Sequence, residues 1–108
     1  MKALTNRVYL IGNLGCDPTL SGTGKAKTAQ FSVATKDTYR NDAGENVSEV
    51  IWHRVKAFGS IAQKAKSLTK GGKIALEGKI TYIPIKITNG NTKTLTVIEC
   101  FDFIPMNN

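Results

Sequence analysis

Nowhere in its 108 residues does the chain hold an apolar run approaching the ~18 residues that a membrane-spanning helix requires. Nor does it open on a secretory leader, because Met1-Lys2-Ala3-Leu4-Thr5-Asn6-Arg7 lacks an apolar stretch of the needed length. A membrane partner is therefore not expected. Cysteine is scarce. Cys16 and Cys100 share no CxxC or metal-type spacing, and both read as free thiols of a cytoplasmic protein. Histidine is scarcer still, and His53 stands alone. With no second histidine, no ligating cluster and no nucleophile–base signature, neither a metal site nor an enzyme has parts to be built from. A nucleotide cofactor is not expected either. Gly22-Thr23-Gly24-Lys25 lacks the glycine spacing and the following Ser/Thr of a phosphate-binding loop.

What the chain holds in surplus is positive charge. Fifteen Lys and Arg face eight Asp and Glu, a net charge of +7. A balance of that sign draws phosphate backbones, although solvated lysines also serve solubility alone. The length fits one domain, residues 1–108, with no repeat, linker or low-complexity tract.

Strand signals dominate. Arg7 to Leu14 is rich in β-branched and aromatic residues and ends at Gly15, with Asp17-Pro18 as turn chemistry. Gly12 inside that run predicts a bend or bulge. A flexible loop is expected over Ser21–Lys25, a second strand over Ala29–Lys36, a polar loop over Asn41–Asn46 and a third strand from Val50 to Phe58. The period then changes. Ile61, Ala62, Ala65 and Leu68 share a helical stripe, with Ser60 as N-cap and Gly71-Gly72 as the stop. A fourth strand runs from Lys73 to about Thr88, turns at Asn89-Gly90 as a two-residue hairpin, and returns as a fifth from Thr94 to about Phe103. Pro84 cannot donate to a ladder, which places it at an edge or in a projecting arm. The expected class is all-β: a five-stranded Greek-key barrel of the oligonucleotide-binding type, with one short helix between strands 3 and 4. An open α+β sandwich has the same element order.

The third strand is the most informative. Alternation sets Trp52, Arg54, Lys56 and Phe58 on one face and Ile51, His53, Val55 and Ala57 on the other. Two cations beside the rings argue for an outward face, since Arg and Lys are rarely buried unpaired. The two rings, six residues apart, then stand about 20 Å apart along the strand. Exposed rings interleaved with cations suit a single strand of nucleic acid, whose bases stack and whose phosphates pair; a protein interface is the competing reading. Tyr39-Arg40 repeats the pairing of ring and cation, although Tyr39 could equally cap the barrel. Tyr82 lies on the more polar face of the fourth strand, and Lys36 and Lys79 are further basic candidates or plain solvated lysines. His53, on the apolar face, reads as a hydrogen-bonded structural residue.

These runs resemble the bacterial-type single-stranded DNA-binding proteins over nearly the whole chain. The likeness is carried by Val8–Pro18, Phe31–Thr35, Trp52–Gly59 and Leu68–Gly78. The resemblance implies an oligonucleotide-binding barrel, assembled as a homotetramer, that coats single-stranded DNA in replication, repair or recombination. It places Trp52 and Phe58 on the family's stacking aromatics, Tyr39 where a stacking Trp is common, Arg54 on a DNA contact and His53 at the subunit interface. Two departures stand out. A stacking Trp of the family's arm falls at or near Ile85, with Tyr82 as a partial substitute. The family's Gly/Pro/Gln-rich linker and acidic tail, which recruit replication and repair proteins, do not follow before Asn108. A primosome-type adaptor on the same barrel, an RNA-binding barrel and, least favoured, a nuclease are the other readings.

Overall fold

The computed structural model describes residues 5–106; residues 1–4 of the opening segment and the final two residues lie outside that range. Its strands are β1 (Val8–Leu14), β2 (Thr19–Ser21), β3 (Thr28–Arg40), β4 (Asn46–Phe58), β5 (Lys73–Lys86) and β6 (Thr92–Met106). A helix, α1 (Gly59–Lys64), joins β4 to β5. The strands hydrogen-bond in the order β1-β5-β6-β4-β3, and β1 then meets β3 at Asn13↔Ala34 and Leu14↔Val33, which closes the barrel. Closure removes the open sandwich from consideration. The expected five-stranded barrel with its single helix is what the chain forms, and β2 is an addition on the outer edge of β3. All pairings are antiparallel except β4 with β6, which run parallel through Val55↔Ile98.

The buried positions of β3, β4 and β5 alternate inward, as half-buried strands require. Ala29, Phe31 and Val33 of β3 meet Val55 and Ala57 of β4, Ile74 and Leu76 of β5, and Ile98, Cys100 and Phe103 of β6. Burial pushes the Cys100 thiol up to about 11, so it stays protonated and packs as a small hydrophobe. Ala62, Ala65 and Leu68 close one end, the stripe expected of the helix.

Several local expectations are corrected. The helix stops at Lys64 and tightens into a 3-10 turn over Ala65–Ser67, short of the expected Leu68. Its N-cap is Phe58, with no side-chain cap, so Ser60 does not fill that role. The sharp entry comes from Gly59 at φ +59, whose N–H donates to the Lys27 carbonyl at 2.8 Å. The Ser21–Lys25 loop contains the end of β2 and the start of a 3-10 turn at Gly24–Ala26. The Asn89-Gly90 turn is five residues, not two. Ile87 N–H donates to the Asn91 carbonyl and Gly90 N–H to the Ile87 carbonyl. Only glycines have positive φ among the described residues, whereas a two-residue Asn-Gly turn needs Asn89 there as well. The tip at 41–45 closes identically, with Asn41 and Gly44 in the roles of Ile87 and Gly90.

Gly12 carries no bulge, since its strand pairs with β5 without a break from Val8↔Gly78 to Asn13↔Lys73. It is glycine because a Cβ there would lie 2.3 Å from the Ala34 carbonyl oxygen, where β1 crosses onto β3. The bulge sits instead on β6. Gly78 pairs with Cys100 and Glu77 with Asp102, leaving Phe101 extra.

Both long hairpins outrun the barrel. β3 and β4 stay paired to Arg40↔Asn46. β5 and β6 continue to Lys86↔Thr92, past Gly78, where β1 ends its pairing. Pro84 lies in this second arm, the projecting position its missing N–H demands.

Candidate nucleic-acid interface

Strand β4 presents its outward face from Phe58 back to Trp52. Val55 and Ala57 are wholly buried, while Trp52 is 61% and Phe58 45% exposed. Register with β3 then fixes which residues share that face: Gln30 beside Lys56, Ser32 beside Arg54, Ala34 beside Trp52 and Lys36 further along. The indole rests on a shelf of small residues. A Cβ added at Gly15 would lie 2.3 Å from Trp52 Cζ3, and the same point is 2.7 Å from Ser32 Oγ. Gly15→Val is therefore expected to lift the ring off β1 and raise its quenching by acrylamide; the chain has a single tryptophan to report it. At the other end, Lys56 Nζ stands 5.3 Å from the centroid of the Phe58 ring, close enough for a cation–π contact that steadies both.

The likeness-bearing run around Gly12 builds the frame beneath this face. Asn13 Nδ2 donates to the Gly71 carbonyl at 3.0 Å, and Leu14 and Gly71 exchange backbone bonds with the Gly71-Gly72 loop and β1. Asp17 Oδ1 accepts from Lys70 N–H at 2.7 Å, so it ties two loops together instead of forming a local turn. These long-range partners are invisible in the sequence.

The remaining predicted residues divide. Tyr39 pairs with Val47, and both fall on the face that carries Ile51 and His53, not that of Trp52. Arg40, beside Asn46, shares the Trp52 face at the arm's tip. Tyr82, 67% exposed, continues the inward face of β5 beyond the barrel. Lys79 lies opposite Glu99, which also sits in register with Lys56, so one carboxylate is set between two of the candidate cations. The half-buried His53 places Nε2 2.9 Å from Thr35 Oγ1, a structural hydrogen bond on the face away from the indole.

Two clefts border the outward face. One, of ≈ 190 Å³, is lined by Ser32, Trp52, His53, Arg54 and Thr96. The second, also ≈ 190 Å³, lies where the β5–β6 arm approaches β4; Arg54 and Lys56 form one side and Ile83, Ile85 and Leu95 the other. Alternation along β5 did not reveal that the isoleucine side of the arm, and not Tyr82, faces the cations. A larger cavity of ≈ 440 Å³ lies away from these cations, between Tyr9, Ile11 and Ile104 on the outside of β1, β5 and β6. Among the described residues there is no cluster of metal-ligating side chains, and no helix is long and apolar enough to cross a membrane.

Comparison with known proteins bears on the whole barrel. The chain is 36% identical over 106 residues to the mitochondrial single-stranded DNA-binding protein of Drosophila melanogaster, covering 96% of this chain and 73% of that one. It is 35% identical over 95 residues to the single-stranded DNA-binding protein of Xylella fastidiosa, of whose length it spans 58%. Among solved structures, the Plasmodium falciparum SSB complex with ssDNA superposes with a TM-score of 0.88 at 28% identity, over 99% of both chains. The model of the Single-strand binding protein family matches residues 5–104, from before β1 to near the end of β6. Frame, barrel and outward β4 face thus fall within one matched span, and the chain belongs to the single-strand binding protein family.

Proposed function

We propose that the protein binds single-stranded DNA with little sequence preference, protecting the strand and removing its secondary structure during replication, repair or recombination. The observation that carries this reading is the outward pair Trp52 and Phe58, exposed on either side of Arg54 and Lys56. Stacking accepts any base, because each has a π face, and the cations meet the phosphates that every nucleotide supplies. Duplex DNA hides its base faces and would leave both rings unused. Binding and release are the whole of the mechanism, so no catalytic group is required. Arg40 and Lys36 extend the basic track along the β3–β4 arm and Lys79 flanks Lys56 across Glu99, while Tyr39 and Tyr82 serve strands that wrap onto the arms' other surfaces.

The active form is a homo-oligomer, which we take to be a tetramer. β1 pairs with β5 along Val8–Asn13 but meets β3 only at its last two residues, so one edge of β1 is open over 8–12. Tyr9 and Ile11 beside that edge are 63% and 57% exposed. An open edge flanked by apolar side chains is a ready template for a second copy. His53 and Ile51, on the face away from the indole, extend the surface that copies would cover. The setting is the compartment that holds the DNA, the nucleoid region of a bacterial cytoplasm.

Titration with oligo-dT tests the reading. The fluorescence of Trp52 is expected to quench on binding, and affinity to fall steeply with salt. Each phosphate contact contributes about −0.7 to the slope of log K against log salt for a single strand. Arg54→Gln combined with Lys56→Gln should flatten that slope by about 1.4. Light scattering with strands of graded length gives the copies per complex. Absence of quenching, or an affinity indifferent to salt, defeats the proposal.

A further inference from the structure

The cleft between β4 and the β5–β6 arm differs in chemistry from the rest of the proposed face. Gln30, Arg54 and Lys56 form its floor and polar side, and Ile83, Ile85 and Leu95 its opposite wall. No aromatic ring lines it. Its ≈ 190 Å³ gives room for a single base and not for two in a stack. The placement is built by register. Ile83 faces Leu95 and Ile85 faces Lys93, on the same side of the arm as Thr81 and Val97. That side turns toward β4, where the guanidinium of Arg54 and the ammonium of Lys56 stand ready for the phosphates on either side of an inserted base. An aliphatic wall has no π face to offer. It rewards only the apolar surface brought against it, and among the DNA bases thymine alone carries a methyl group, at C5.

We propose that this cleft is a one-base subsite that takes thymine, its C5 methyl seated against Ile83 and Ile85. The proposal rests on the single-strand reading above and adds a preference within it. The Gln30 amide can both donate and accept, so it serves the O4 and N3–H of thymine and of uracil alike. Uracil on the same deoxyribose backbone therefore isolates the methyl group. Burying one such group is worth about fourfold in affinity.

The test compares length-matched oligo-dT and oligo-dU at one salt concentration, read by anisotropy of a labelled strand, for the unaltered protein and for Ile85→Ala and Ile85→Trp. Oligo-dT is expected to bind about fourfold more tightly per protomer. Ile85→Ala should weaken oligo-dT toward oligo-dU and leave oligo-dU nearly unchanged. Ile85→Trp supplies a stacking ring and should strengthen both while erasing their difference. Ile85 lies in the arm and is 36% exposed, outside the barrel core, so neither change threatens the fold. Equal affinity of the unaltered protein for both strands overturns the subsite, as does a preference that survives Ile85→Ala, which would place the methyl contact elsewhere on the protein. Failure to bind either strand defeats the single-strand reading itself, a separate outcome.

Discussion

Replacing Trp52 and Phe58 together by alanine is expected to remove about 2–6 kcal/mol of affinity for oligo-dT, the sum of two stacking contacts of roughly 1–3 kcal/mol each. Summation is warranted because the rings stand about 20 Å apart along β4, well beyond the ~10 Å at which neighbouring sites couple. The two positions are 61% and 45% exposed, and neither belongs to the core, so the fold should survive both changes. Circular dichroism checks that. Because the double variant loses its only tryptophan, binding is followed by anisotropy of a labelled strand. The single variants divide the loss. Trp52 has the larger ring and the fixed shelf of Gly15 and Ser32, so it should account for more than half. Trp52→Phe keeps a stacking surface and should recover most of what Trp52→Ala loses. Full affinity in a folded double variant would mean that the strand runs elsewhere on the barrel.

That face was legible in the sequence because a strand has a period of two and cations resist burial. Trp52, Arg54, Lys56 and Phe58 could not all point inward, whereas Val55 and Ala57 could. The order of elements was legible for a similar reason, since the period switches from two to that of a helix between Phe58 and Leu68. What stayed hidden depends on partners far along the chain. The work of Asn13 and Asp17 needs Gly71 and Lys70, more than fifty residues away. The faces of Tyr39 and Tyr82 depend on how each strand extends past the barrel. A shift of one residue in pairing turns every side chain over, and the tips at 41–45 and 87–91 fix that register. The bulge at Phe101 defeats simple alternation outright. Cys100 and Phe103 are three residues apart, yet both point inward, because the extra residue resets the phase.

That reset makes Phe103 the most consequential side chain of the core. It is 2% exposed and the largest of the side chains buried almost completely. Lys64 of α1 reaches over it, with Nζ 4.6 Å from the ring centroid and donating at 2.6 Å to the Phe103 carbonyl. The same ammonium pairs with Asp102 at 3.0 Å, so the ring pins the helix to β6 where it closes the barrel. Phe103→Ala empties that space. The surrounding walls are strands fixed by ladders on both sides, which can close the void only in part, and a cost of about 3–5 kcal/mol follows. Against a total stability of roughly 5–15 kcal/mol, that is a large share of the margin. Urea unfolding followed by far-UV circular dichroism, at fixed protein concentration because the proposed association of copies would add its own stability, should show a lowered midpoint with an unchanged slope. Tryptophan fluorescence is the wrong probe here, since the indole sits on the surface in the folded protein. Below its transition the variant should bind oligo-dT as the unaltered chain does. The ring pair on β4 then behaves in the opposite way, costing affinity and sparing stability. Such a split is expected only if the barrel is held by residues pointing inward, Phe103 of β6 among them, and the ligand by the residues that β4 turns outward. A Phe103→Ala variant as stable as the parent would show that the barrel is not packed around this ring.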